Sequence, residues 1–327
     1  MKIGKISNND LKKLIFNNLT LNRKEVLEAS EIGSDCAVVD LGDELLVTSV
    51  DPITGASKNI GSLAVNVACN DAYCLLAEPV GLLMSVLLPA KTTKNEIEEI
   101  MIDAQSACDK IGVNIIGGHT EVTDVVNTVV ITTTVLAKTK DRILPNRKFA
   151  KVGDRILVSK HVALEGTSII AHDFEMDSSK YLNEEELNEA KSYSKLLSVK
   201  EESLISRKFR VRALHDITEG GVLGAVWEMA TNLGFGAEIN FEDIPITDVT
   251  KKLTKGFDLN PLRFISSGSM MVIVDREDSE KLIDEAKKVG LLFTDIGSLV
   301  ETGIVMNKNG EKLDIDEPSP DELYKVV

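Results

Sequence analysis

The sequence predicts an α/β protein of two domains. Three observations carry this reading. Strand-like and helix-like stretches alternate through the first half, a charged, proline-bearing break interrupts them near residue 148, and the alternation then resumes. A length of 327 residues fits two domains, and a hydrophobic content of 43% is ample for their cores. We place the domains at residues 1–148 and 149–327.

The elements follow in order. "ELLVTSV" (44–50) reads as a strand ending at Asp51-Pro52, because proline holds the residue before it extended and cannot donate to a ladder. "NIGSLAVNVACNDAYCLLAEP" reads as a helix closed by Pro79, and "VGLLMSVLLP" as a strand. The next helix is the clearest in the chain. Thr93-x-x-Glu96 forms a capping box, Ile97, Ile100, Met101, Ala104, Cys108 and Ile111 make an apolar stripe, and Gly112 closes it. "VNII" and the threonine-rich "NTVVITTTVLAKT" are strands, followed by the break "DRILPNRKFAKVGD". In the second half "RILVSK" and "SMMVIV" are strands, "DSEKLIDEAKKVG" is a helix, and "LFTDIGSLV" turns into a strand. Residues 174–208 read as surface helices, and "HDITEGGVLGAVWEMATNLGFG" as a turn into an amphipathic helix.

Composition excludes several classes of partner. A formal charge of −15 opposes binding to nucleic acid or an anionic membrane, so a phosphate compound would need a metal cation or backbone amides. The start of the chain has no apolar signal-peptide core, and "VGLLMSVLLPA" is too short to span a bilayer. Cys36, Cys69, Cys74 and Cys108 show neither a C-x-x-C pair nor zinc spacing. The expectation is a cytoplasmic protein with reduced thiols.

Carboxylates at strand and turn ends are the residues to watch. Asp51 ends a strand, where ligand sites gather in α/β layers. Asp35 follows Gly33 just ahead of an apolar run. Asp71 falls inside the stripe of Ala64, Val67, Ala68 and Leu75, either to meet a cation or as an edge residue paired with a lysine or arginine. Three such carboxylates near a glycine pair make a magnesium–phosphate site plausible, since magnesium binds through one or two carboxylates plus substrate phosphates. "NIIGGHTEVT" (114–123) supplies the glycines: a strand would leave the core through Gly117-Gly118, bringing backbone close to phosphate. His119 could donate to phosphate, act as acid or base, or cap the strand. Glu121 could coordinate metal, orient a nucleophile or face solvent. Asp216, Thr218 and Gly220-Gly221 precede a helix whose amides could meet an anion, and Thr218 serves equally as a plain cap.

Taken in order, "GSDCAV" (33–38), "TSVDPIT" (48–54), "AVNVACNDAYCLLAEP" (64–79), "IIGGHTEV" (115–122), "KVGDRILVSK" (151–160), "HDITEGG" (215–221) and "ISSGSM" (265–270) resemble the aminoimidazole ribonucleotide synthetase superfamily. "DPIT" with "GGHTEVT" looks most like its HypE-like, synthetase-related branch. The resemblance implies a two-domain α/β fold whose N-terminal sheets pair into a β-barrel across a homodimer, with ATP and magnesium in an N-terminal cleft. By position, Asp35, Asp51 and Asp71 would be metal or ATP-site residues with Asn70 beside them. Gly117, Gly118, Thr120 and Glu121 would form a phosphate-facing loop. The implied activity is phosphorylation of an oxygen on a small molecule or a partner protein's carboxamide. A small-molecule kinase resembling thiamine-monophosphate kinase and a non-catalytic nucleotide-binding dimer are the alternatives. This chain departs from the pattern in having Ser34 before Asp35, His119 where several relatives are acidic, and no cysteine after Cys108, which would preclude a dehydration carried on its own tail.

Overall fold

The computed structural model describes residues 4–29, 31, 33, 36–142, 145 and 147–327. The first domain is a six-stranded sheet of β1 (Val26–Glu28), β2 (Ala37–Asp40), β3 (Leu45–Ile53), β4 (Glu78–Pro89), β5 (Asn114–Thr123) and β6 (Val130–Thr139). The spatial order is β1-β2-β3-β6-β4-β5, antiparallel except for the β4–β5 pair. Helices α1 (Ile60–Cys74) and α2 (Lys94–Ile111) are the connections before and after β4. The expected capping box of α2 is present, with Thr93 and Glu96 each bonding the other's backbone N–H, and Gly112 ends the helix in the left-handed region at φ 78.

In β6 the alternation works as a pleated strand should. Ile131, Thr133, Val135 and Ala137 are buried while the residues between them are more exposed. The opposite face of the sheet stays open, and Val50, Leu83, Ile116 and Val122 are exposed there or on the outer strand.

The second sheet joins β7 (Arg155–Ser159), β8 (Val211–Asp216), β9 (Gly236–Asn240), β10 (Met270–Val274), β11 (Phe293–Val300), β12 (Ile304–Lys308) and β13 (Glu311–Asp314). Its order is β13-β12-β9-β11-β7-β10-β8. All five residues of β10 are buried, as a hydrophobic run without alternation requires. Around it lie α3 (Leu164–Asp173), α4 (Glu184–Ser192), α5 (Lys200–Ser206), α6 (Gly221–Leu233), α7 (Asp248–Gly256) and α8 (Ser279–Lys288). Under this sheet, buried Arg212 joins Asp154 at 3.1 Å and Asp275 at 2.5 Å, so each internal charge meets its opposite.

Three expectations are corrected. β3 does not stop at Asp51-Pro52: Pro52 stands opposite Thr132 of β6. Since β2 pairs only with Leu45–Thr48, β3 has one neighbour beyond that point, and a residue without an N–H is tolerated. Pro79 does not close a helix either. α1 ends at Cys74, Leu76 takes a left-handed φ of 54, and Pro79 lies inside β4. Finally, Gly117 to Glu121 are not a loop, because β5 runs on to Thr123 alongside β4.

The glycine pair has a structural cause. Gly118 has φ 145, and a Cβ there would stand 1.9 Å from the Met84 carbonyl oxygen, next to a register shift between Leu82 and Leu83. Gly118→Ala is therefore expected to destabilise the protein by about 2–4 kcal/mol and to expose β4 and β5 amides to exchange. Gly112→Ala, with open space around it, should cost only about 1 kcal/mol. Thermal unfolding with hydrogen exchange checks both.

Candidate active site between the domains

A cleft of about 610 Å³ opens where the two domains meet. From the first domain come the end of β3 with its following loop, Asp51 to Ala56, and one stripe of α1: Leu63, Val67 and Asp71 at i, i+4 and i+8. From the second come Glu165 and Ile169 of α3, His215 and Asp216 at the end of β8, and Thr218 and Glu219 of the turn into α6. Ile265 and Ser267 add a third edge. Both ends of the described chain complete the wall, through Gly4 and Lys5 on one side and Asp321, Leu323 and Tyr324 on the other.

α1 is the element that makes this possible. Fourteen of its residues are buried, so it is enclosed on every side rather than amphipathic. Asn70 and Asp71 are neighbours, 100° apart around the helix, and the two cannot face the same place. Asp71 faces the cleft. Asn70 faces the second domain, where its amide donates to the Leu197 carbonyl at 2.8 Å and its carbonyl accepts from the Val199 N–H at 3.0 Å. One turn on, Ser203 donates to the Tyr73 carbonyl at 2.6 Å. Asn70 thus latches the domains together and does not line the cleft.

The second domain's wall is fixed mainly by side chains that accept from backbone N–H groups. Ala163 precedes α3 in the left-handed region, and its N–H is accepted by Ser266 Oγ at 2.7 Å. Ile265 carbonyl accepts from Gly166, and Glu165 Oε2 accepts from the Ser267 N–H at 3.0 Å. Asp321 accepts from three N–H groups, those of Gly220, Ile265 and Leu323. Gly221 begins α6 at φ 60, and a Cβ there would lie 2.6 Å from the Leu262 carbonyl oxygen. Tyr324 hydroxyl donates to Glu219 at 2.5 Å, and Lys5 and His215 both reach the buried Glu228, at 3.4 Å and 3.5 Å.

The electrostatics are those of crowded, buried acid. Burial pushes the Glu165 carboxyl up to about 7, against the pull of Ser267, with Asp321 and Glu219 adding to the rise. Burial likewise raises Asp321 to about 6, although three backbone donors oppose it. Burial works against the charged form of Glu228 too, but His215 and Lys5 hold its carboxyl below its ordinary value.

The sequence-derived candidates separate. Asp51, Asp71, Asp216 and Thr218 line one cleft. Gly220 sits behind it, its N–H taken by Asp321, and Gly221 starts the helix. Gly117, Gly118, His119, Thr120 and Glu121 do not line it. They lie on the outer strand β5, where exposed His119 and Glu121, two residues apart on one strand face, approach to 3.2 Å. Asp35 lies outside the described residues. Sequence reasoning missed Glu165, His215, Glu219, Asp321 and Tyr324. Glu165 carried a signal, a lone carboxylate within the apolar run "HVALEGTSII"; Asp321 and Tyr324 carried none, because only the chain's fold-back brings them here.

Among the described residues, no group of three or more His, Cys, Asp or Glu side chains is poised to hold a metal, and no helix is long and apolar enough to cross a membrane. All four cysteines are buried, free thiols. The donors facing the cleft are hard carboxylate oxygens, the type magnesium accepts alongside phosphate oxygens.

The architecture is that of a known two-domain class. Residues 33–139 match the N-terminal domain, and residues 151–306 the C-terminal domain, of the AIR synthase related proteins. The chain belongs to that family, in its HypE-like branch. A putative hydrogenase expression/formation protein of Methanocaldococcus jannaschii is 26% identical over 290 residues, 86% of this chain and 83% of the relative. The fold of E. coli HypE, a hydrogenase maturation protein, superposes with a TM-score of 0.74 at 22% identity, covering 94% of this chain and 96% of that one. A HypE structure in complex with ATP gives 0.69 at 20% identity, covering 98% and 97%.

Two outcomes follow from this geometry. Asn70→Ala should cost about 2–4 kcal/mol by leaving two buried backbone groups without their partner, measured by denaturant unfolding. Stability should also respond to pH. Glu165 and Asp321 hold protons more tightly folded than unfolded, so protonation stabilises the fold fully below their ordinary values of 4.5 and 3.8. That contribution is lost as pH climbs through about 6 and about 7. The fall in melting temperature between about pH 5 and pH 8 should be visibly shallower in Glu165→Gln.

Proposed function

We propose that the protein is an ATP- and magnesium-dependent phosphoryl-transfer enzyme of the HypE-like branch, with the interdomain cleft as its site. The observation that carries this is the convergence of Asp51, Asp71 and Asp216 from two domains on one cleft. Related proteins add support: one HypE is described in complex with ATP, and the M. jannaschii relative is described as a hydrogenase expression/formation protein.

An acidic cleft repels a triphosphate, so the nucleotide would enter with its cation. Asp51 and Asp71, with Asp35 as the third carboxylate, would hold magnesium through one or two of their oxygens. Bound there, the cation would neutralise phosphate charge and polarise the transferring group. Thr218 would then position the phosphates from the second domain, with Asp216 reaching them only through the cation. The acceptor in this reading is an oxygen of a small molecule or of a partner protein's carboxamide, because phosphorylation converts such an oxygen into a leaving group. The division between the domains falls near residue 148, and the enzyme works in the cytoplasm.

The reading includes a homodimer. Among the described residues β5 is an outer strand with a free edge and exposed Ile116 and Val122, while Val50 of β3 and Leu83 of β4 leave apolar surface open to water elsewhere on the sheet. Pairing two such sheets into a barrel would cover both. His119, Thr120 and Glu121 would then meet the partner subunit, which accounts for their distance from their own cleft's lining.

Calorimetric titration with ATP, with and without magnesium, is the test. Wild type should bind only with magnesium, and Asp71→Asn should weaken binding at least 100-fold while its melting temperature holds. His119→Ala should weaken it less. Unchanged affinity in Asp71→Asn would place the site elsewhere. Val122→Glu should convert the dimer to monomer in sedimentation analysis; a monomeric wild type would remove the barrel from this reading.

A further inference from the structure

Glu165 has a second outlook. Besides the main cleft it lines a separate cavity of about 20 Å³, shared with Ser168, His172, Ser194 and Lys58. That is enough for one water molecule. Glu165, Ser168 and His172 stand at i, i+3 and i+7 on α3, so they share one face along two helical turns, or about 10 Å. Ser168 Oγ donates to the Lys191 carbonyl at 3.4 Å, and His172 Nε2 lies 3.3 Å from the same oxygen. Glu165 is buried, whereas His172 is half-buried. Glu165, Ser168 and His172 thus line one small cavity along one side of a helix, between the cleft wall and solvent.

We propose that Glu165 is the group that takes the proton of the phosphoryl acceptor, and that Ser168, one water molecule and His172 carry that proton out along α3. This rests on the nucleotide reading of the cleft. The acceptor is then a group with a dissociable proton, a hydroxyl or a carboxamide. Its proton passes to Glu165, its oxygen forms the bond to the γ-phosphorus, and the bond to the bridging oxygen of ADP breaks. The proton on Glu165 next moves to His172 and solvent, which restores the carboxylate.

The surroundings suit that role. Ser267 holds the carboxylate through its N–H, with its hydroxyl also favouring the charged form. The charged groups facing Glu165 are Asp321 from the tail and Glu219 from the turn into α6, both of which disfavour its ionisation. Across the cleft stand Asp51 of β3, Asp71 of α1, and His215 and Asp216 of β8, with Lys5 from the N-terminal segment. Lys58 and His172 face it from the small cavity. With its carboxyl near 7, Glu165 changes state around neutrality, where a general base works best.

The test uses the full chain, MgATP, and water as the acceptor. Release of phosphate should rise with pH through about 7 in wild type. Glu165→Gln should be slower by about 100-fold or more at high pH, should lose that limb, and should bind MgATP within about twofold of wild type by calorimetry. Glu165→Asp should restore part of the rate with the limb. His172→Ala should slow turnover several-fold, and added imidazole should restore it. A pH limb that survives in Glu165→Gln, or a wild type that binds MgATP yet never turns it over, overturns the proposal while leaving the nucleotide reading intact. No MgATP binding by wild type removes both.

Discussion

Everything at the cleft depends on α1 being buried on all sides. A surface helix could show a polar residue to solvent at no cost, but here each polar group on α1 has to be met by protein or to open onto the cleft. Asn70 is met by Leu197 and Val199 of the other domain, Ser62 N–H by Asp103 of α2, and Asp71 opens onto the cleft. The latch and the cleft residue are consecutive in sequence. Packing against α2 and its own sheet, with the domain interface on one side, fixes the rotation of α1, and that rotation aims Asp71.

The second domain meets this helix with charges of the same sign. Glu165, Asp216, Glu219 and Asp321 all line the cleft opposite Asp51 and Asp71. A pocket built only for stability would not gather them, since each raises the cost of ionising the next. The raised carboxyls of Glu165 and Asp321 record that cost. Three backbone amides hold Asp321, which makes it a brace for the turn into α6 and for the tail. Glu165 receives a single backbone amide, that of Ser267. Two acids of similar burial are thus separated in role by the number of donors each meets.

How far the sequence could be read follows from which interactions are local. The capping box of α2 and the strand-forming runs of β6 and β10 depend on neighbours within a few residues, and they were legible. Pro52 misled because its tolerance depends on where β2 stops pairing, a fact about another strand. Gly118 misled for a similar reason: glycine beside a histidine suggested a phosphate loop, but the close approach is to the Met84 carbonyl of the next strand. Asp51 and Asp71 were grouped as one site, but Asp216 was singled out separately, and nothing in the sequence spacing said it would share their cleft. The tail residues were invisible until the chain folded back on itself.

The fold-back has a consequence for how the cleft opens. Tyr324 donates to Glu219, Asp321 accepts from Gly220 and Ile265, and a Cβ on Gly4 would stand 3.0 Å from the Tyr324 ring. The cleft is thus edged by segments near residues 4 and 324, and the second is anchored in the core through buried Leu323. Its floor, α1 and the ends of β3 and β8, is held by the buried core of both domains. Local opening is cheapest where buried apolar contacts are fewest. The exposed segment near residue 5 should therefore yield before the tail or the floor, opening one edge of a cleft whose carboxylates stay in place.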